Sequence, residues 1–125
     1  MTKIQFPKDF WWGAAASAPQ TEGTKSDDGK SASTWDKWFE LEPERFAGGI
    51  GPEKTSNVYE LYREDVQRMK DMGLNSYRTS IAWTRLLPDG KSLNQKAVKF
   101  YRDYFTALKE AGVEPVVNLF HFDMP

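Results

Sequence analysis

The sequence predicts an α/β fold built on a parallel sheet, and three observations carry that prediction. Apolar or small-residue strand segments alternate with segments of helical period, and the helices connect consecutive strands. Polar residues collect at the C-terminal ends of the strands: Gln20 after the first, Arg78 and Trp83 along the second, His121 and Asp123 after the third.

The elements follow in order. Phe10-Trp11-Trp12-Gly13-Ala14-Ala15-Ala16 is an apolar run that tails into small residues, and it is expected to be a short buried strand. Residues 21–56 are rich in Gly, Ser, Thr, Asp and Lys, but Trp35, Trp38, Phe39 and Phe46 lie among them. A stretch with so many aromatics does not suit disorder, so an ordered functional loop is predicted. The spacing of Val58, Leu61, Tyr62, Val66, Met69 and Met72 predicts a helix, with Asn57 as N-cap, Glu60 as its capping-box partner and Gly73 as the stop. Leu74 to Trp83 has strand character, and Pro88-Asp89-Gly90 is a turn. Asn94 caps a second helix that carries Val98, Tyr101, Phe105 and Leu108 and ends at Gly112. Glu114 to Phe120 form a third strand, with Pro115 tolerated at its start.

Two folds begin this way, a doubly wound sheet and a (β/α)8 TIM barrel. A nucleotide-binding sheet would carry a glycine-rich turn after its first strand. Gly13-Ala14-Ala15-Ala16-Ser17-Ala18-Pro19 does not match, and no P-loop pattern occurs. Polar groups ringing the strand tips are the barrel's mark. Three strands and two helices cannot close a barrel, so residues 1–125 are expected to be the N-terminal part of one TIM-barrel domain, with no second domain.

Composition narrows the function. The chain has 125 residues and a net charge of −1, which favours neither nucleic acid nor an anionic membrane as a partner. It has no cysteine, which excludes disulfides, thiolate metal sites and cysteine nucleophiles and fits a reducing compartment. Met1-Thr2-Lys3-Ile4-Gln5 is followed by no signal-peptide core and no run is long enough to span a membrane, so a cytoplasmic protein is expected.

His121 is the only histidine. It is either a core histidine bonded to backbone or a functional group at a strand tip; without a second His or Cys a metal site is not expected. Arg78 lies mid-strand, where a guanidinium needs a partner. It either forms a structural salt bridge or holds a catalytic carboxylate. Gln20 offers an amide donor and acceptor suited to sugar hydroxyls, and one of the five Trp residues is expected to contact ligand, the rest being core. Hydrolysis of a glycosidic bond needs two flanking carboxyl groups. Glu22, Asp36 and Asp123 do not form a convincing pair: the first two read as loop-ordering acceptors, and Asp123 as ordering the turn after the strand.

Together these residues resemble the family 1 glycoside hydrolases. Phe6-Pro7-Lys8-Asp9-Phe10-Trp11-Trp12-Gly13 through Gln20-Thr21-Glu22-Gly23 is similar to the family's N-terminal signature, and Ser33-Thr34-Trp35-Asp36 to its next marker. Tyr77-Arg78-Thr79-Ser80-Ile81-Ala82-Trp83-Thr84-Arg85 resembles its second-strand motif and His121-Phe122-Asp123-Met124-Pro125 its third.

The resemblance implies a (β/α)8 barrel and retaining hydrolysis of a β-glucoside without a cofactor. It implies that Gln20 and His121 bond hydroxyls of the non-reducing sugar and that Arg78 supports the nucleophile. Phe122 stands where members acting on plain glycosides usually carry Trp, which resembles the branch acting on 6-phospho-β-glucosides. Both catalytic glutamates would lie beyond Pro125. The isolated chain is therefore expected to be inactive and to need the remainder of the barrel for a closed fold. A plain β-glucosidase segment and a non-catalytic sugar-binding module are the alternatives.

Overall fold

The computed structural model describes residues 3–23 and 28–125. Residues 1 and 2, at the start of the segment read for a signal peptide, and residues 24–27, within the predicted 21–56 loop, lie outside the described residues. Three parallel strands form one sheet in the order β1-β2-β3: β1 (Gly13–Ala15), β2 (Ser76–Ser80) and β3 (Glu114–Asn118). Ala15 stands beside Arg78, and Arg78 beside Val116. The fold class is the predicted one, an incomplete (β/α)8 barrel with its crossover helices on one face.

Between β1 and β2 run α1 (Ala18–Thr21), α2 (Thr34–Leu41), two 3-10 turns (Pro43–Arg45 and Ala47–Gly49) and α3 (Val58–Asp71). Between β2 and β3 run α4 (Trp83–Leu86) and α5 (Gln95–Glu110). The two long helices were legible from their period. Val58, Tyr62 and Val66 of α3 meet Ala97, Phe100, Tyr101, Tyr104 and Leu108 of α5, with Tyr77 of β2 completing the core. Gly73 and Gly112 follow these helices at φ +74° and +78°, the left-handed stop that glycine takes without strain. Successive strand side chains face opposite ways. With Tyr77 in the helix-facing core, Arg78 turns to the other face, the inside of a barrel.

Several expectations are corrected. The 10–16 run is not a buried strand. Only Gly13–Ala15 pair, and Trp11 and Trp12 remain 59% and 50% exposed. Phe6, Phe10 and Trp12 pack mainly on one another, every centroid separation being 4.7 Å. Gly13 is required by contact, because a Cβ there would come 2.4 Å from the Ser76 carbonyl oxygen. The 21–56 segment is no mere loop, since it holds α2. Asn57 does not cap α3 through its side chain; it has left-handed backbone, and its amide donates to Glu60 instead. The second strand ends at Ser80 and the third at Asn118, short of the predicted Trp83 and Phe120. Asn94 caps α5 as expected, accepting from Lys96 N–H at 3.1 Å.

Candidate active site

The strand tips create the site. Beyond β1 the chain turns at Ser17, whose hydroxyl donates to Gln20 Oε1 at 2.7 Å. Ser80 Oγ, at the end of β2, accepts from Ala18 N–H at 2.8 Å and so ties α1 to the sheet. Gln20 is exposed at the tip. Arg78, half-buried, donates from one terminal nitrogen to the Ala16 carbonyl at 2.9 Å, and its other terminal nitrogen lies 3.2 Å from His121 Nδ1. A guanidinium has no acceptor. In this contact Nδ1 therefore accepts, and the imidazole proton sits on Nε2, free to donate to a ligand. Among the described residues no carboxylate pairs with Arg78, so of the two alternatives the structural salt bridge is not what holds it.

Gln20, His121 and Phe122 border one cleft of about 420 Å3, together with Ser17, Trp35 and Phe46. Trp35 comes from α2, which lies within the segment predicted as a loop. The signal was present: Ser33 and Asp36 form a full capping box, Ser33 N–H donating to Asp36 at 2.7 Å and Asp36 N–H to Ser33 Oγ at 3.2 Å. Trp35, Trp38, Phe39 and Phe46 then pack as a chain of rings, with centroids 4.9 to 5.3 Å apart. Asp36 thus orders the segment, as expected, and also holds Lys30 at 3.0 Å.

Glu22 does far more than order a loop. It is buried with Arg85, which is fully buried and went unnoticed as a functional residue in the sequence. Arg85 Nε donates to Glu22 at 3.0 Å and a terminal nitrogen donates to Asp28 at 2.6 Å. Its guanidinium lies 3.9 Å over the Tyr59 ring, and Tyr101 donates to the second Glu22 oxygen at 2.8 Å. Burial pushes Glu22 upward against the pull of Arg85. Burial also works to raise Asp28, but the hydrogen bond and charge of Arg85 outweigh it and hold that carboxyl below its usual range. This cluster fastens Glu22, and with it the short helix α1 that carries Gln20, to α4 and α5, and holds Asp28 to Arg85.

Asp123 ties the segment after β3 to α4, accepting from Trp83 N–H at 3.1 Å, and it is almost wholly buried. Asp123 and Thr84 border a small cavity of about 20 Å3, room for about one water. Burial pushes the Asp123 carboxyl up to about 6, from an ordinary value of 3.8. The folded state therefore binds this proton more tightly than the unfolded chain. The resulting stability is full below pH 3.8 and is lost as pH rises through 6, a change of about 3 kcal/mol. Asp123→Asn removes that dependence. Measured by urea unfolding in the full-length gene product, the stability of the variant relative to the parent is expected to rise by roughly 2.5 kcal/mol from pH 4 to pH 7. Parallel curves would refute the assignment.

Among the described residues no His, Cys, Asp and Glu cluster suits a metal ion, and no helix is long and apolar enough to cross a membrane.

Comparison with known proteins gives this arrangement its context. The model of glycosyl hydrolase family 1 matches residues 2–125. The 6-phospho-beta-glucosidase GmuD of Bacillus subtilis (strain 168) is 53% identical over 124 residues, 98% of this chain and 27% of the relative. Beta-glucosidase A of Acetivibrio thermocellus is 44% identical over 126 residues, 100% of this chain and 28% of the relative. Among solved structures, aphid myrosinase superposes with a TM-score of 0.92 at 34% identity, covering 98% of this chain and 27% of its own. The psychrophilic beta-glucosidase BglU of Micrococcus antarcticus gives 0.91 at 40% identity, covering 98% and 26%. The chain thus spans about a quarter of the length of the relatives it matches. A barrel opening whose strand tips gather Gln20, Arg78 and His121, matched from residue 2 to residue 125, belongs to glycosyl hydrolase family 1.

Proposed function

We propose that residues 1–125 form the N-terminal part of a single-domain retaining glycosidase that hydrolyses 6-phospho-β-glucosides. One observation carries the reading. Arg78 is a half-buried guanidinium on the barrel's inner face whose partners among the described residues are a carbonyl and an uncharged imidazole nitrogen. A desolvated cation in that setting calls for an anion. A nucleophilic carboxylate brought by a later strand would supply it, and Arg78 would keep that carboxylate ionised. Gln20 and the His121 Nε2–H would bond hydroxyls of the sugar, and Phe122 would cover its face. No cofactor or metal enters the reaction. The two glutamates of the double displacement belong to the rest of the barrel, so the isolated chain would lack turnover.

The phosphorylated substrate rests on Phe122 and on the 53% identity to a 6-phospho-β-glucosidase. It carries a cytoplasmic location with it, where imported phosphorylated sugars are met. A plain β-glucosidase is the second reading, favoured by the 44% identity to beta-glucosidase A. The full-length gene product decides between them. We expect kcat/KM for an aryl 6-phospho-β-glucoside to exceed that for the unphosphorylated aryl β-glucoside by at least about tenfold, or about 1.4 kcal/mol. The reverse ratio would select the plain β-glucosidase. Coding sequence that fails to continue into a strand ending in Asn-Glu-Pro would remove the glycosidase reading. Saturable sugar binding by the isolated chain, lost in His121→Ala, would then favour a non-catalytic module.

A further inference from the structure

Phe122 has φ +68°, the left-handed region that a bulky side chain occupies only when its surroundings hold it there. The holding groups are visible. The Trp83 indole N–H donates to the Leu119 carbonyl, and Trp83 N–H donates to Asp123. The other fastenings come from one residue of α2. Thr34 Oγ1 donates to the Phe122 carbonyl at 3.0 Å, and Thr34 N–H donates to the Met124 carbonyl at 3.1 Å. The second of these also satisfies one of the free N–H groups at the start of α2.

Thr34 precedes Trp35, and Trp35 borders the same cleft as Phe122 and His121. One residue thus joins two walls that the sequence separates by 88 positions. The backbone bond fixes where α2 begins, while the hydroxyl bond acts on the strained residue itself. We infer that Thr34 is a positioning residue: its hydroxyl holds Phe122 in its left-handed backbone and thereby sets the spacing between the Trp35 and Phe122 walls of the sugar cleft. The inference rests on the cleft being the sugar site. Thr34 does not line the cleft itself. Its effect reaches the sugar through Phe122 and so falls on binding more than on the chemical step.

The test uses the full-length enzyme with Thr34→Val, which keeps the shape and the backbone N–H but loses the hydroxyl, and Thr34→Ser, which restores it. KM and kcat are measured on whichever aryl glucoside the parent cleaves, so an error in the phosphate assignment does not disturb the result. We expect KM to rise roughly threefold to tenfold in T34V, the loss of about one hydrogen bond, with kcat within about twofold and T34S close to the parent. A lowered melting temperature with KM unchanged would mean a fastening that is only structural, and would overturn the proposal. Should the parent cleave neither sugar, the functional reading fails and crystal structures decide this one. Phe122 leaving the left-handed region in T34V but not in T34S supports it. Phe122 unchanged in T34V overturns it.

Discussion

Arg85→Ala is expected to destabilise the full-length enzyme by about 3–5 kcal/mol, the cost of leaving buried carboxylates without their counter-charge. The side chain is fully buried, and its two carboxylate partners, Glu22 and Asp28, are nearly so. Removing the guanidinium strands both carboxylates and takes away the ion that stacks on Tyr59. Arg85→Lys is expected to recover only part of the loss, because one ammonium cannot reproduce a fork that addresses Glu22 through Nε and Asp28 through a terminal nitrogen. Urea unfolding of the parent and both variants measures this. A variant within about 1 kcal/mol of the parent would show that the cluster is not what fastens Glu22 and Asp28. Activity is expected to fall along with stability, because Gln20 stands on the segment that Glu22 anchors.

The second large effect lies at Arg78. In the full-length enzyme Arg78→Met is expected to lower kcat/KM on the order of 10²–10³-fold, the magnitude of removing one preorganised charge-stabilising group from an active site. The pH profile carries the sharper signature. If Arg78 keeps a neighbouring nucleophile ionised, its loss raises that carboxyl's pKa by about 1–3 units, and the acidic limb of kcat/KM moves up by as much. A purely structural Arg78 would lower activity or stability with the acidic limb unmoved. Arg78 also fixes His121 by donating to Nδ1. The variant frees that nitrogen, so weaker sugar binding is expected beside the loss in rate.

These two arginines differ in how far the sequence announced them. Arg78 drew notice because a charged residue sits inside an otherwise small and apolar strand. Arg85 lies in a short helix just past the strand, where a charge is unremarkable, and its importance comes from residues 22, 28, 59 and 101 meeting around it. Such pairing is set by tertiary structure and leaves no periodic trace. The long helices α3 and α5 were legible because period and glycine stops agreed. Helix α2 escaped because eight residues give little period, although Ser33 and Asp36 marked its start.

The first strand was misjudged for a different reason. An apolar run does not by itself mean burial: Phe6, Phe10 and Trp12 pack tilted and edge-on against one another and stay partly exposed. At the site, Gln20 and His121 are legible from residue type and placement and Phe122 only through the family resemblance, and all three border one cleft. The left-handed backbone of Phe122 and its tie to Thr34 were beyond reach, because neither residue type signals them.

The central claim is that residues 1–125 hold one wall of the sugar site and do not themselves perform the chemistry. Release of aryl aglycone from an aryl 6-phospho-β-glucoside, followed for the full-length gene product and for the isolated chain side by side, tests it most directly. Turnover by the full-length protein and none by residues 1–125 is the expected result. Turnover by the isolated chain, after contaminating glycosidase is excluded, would contradict it.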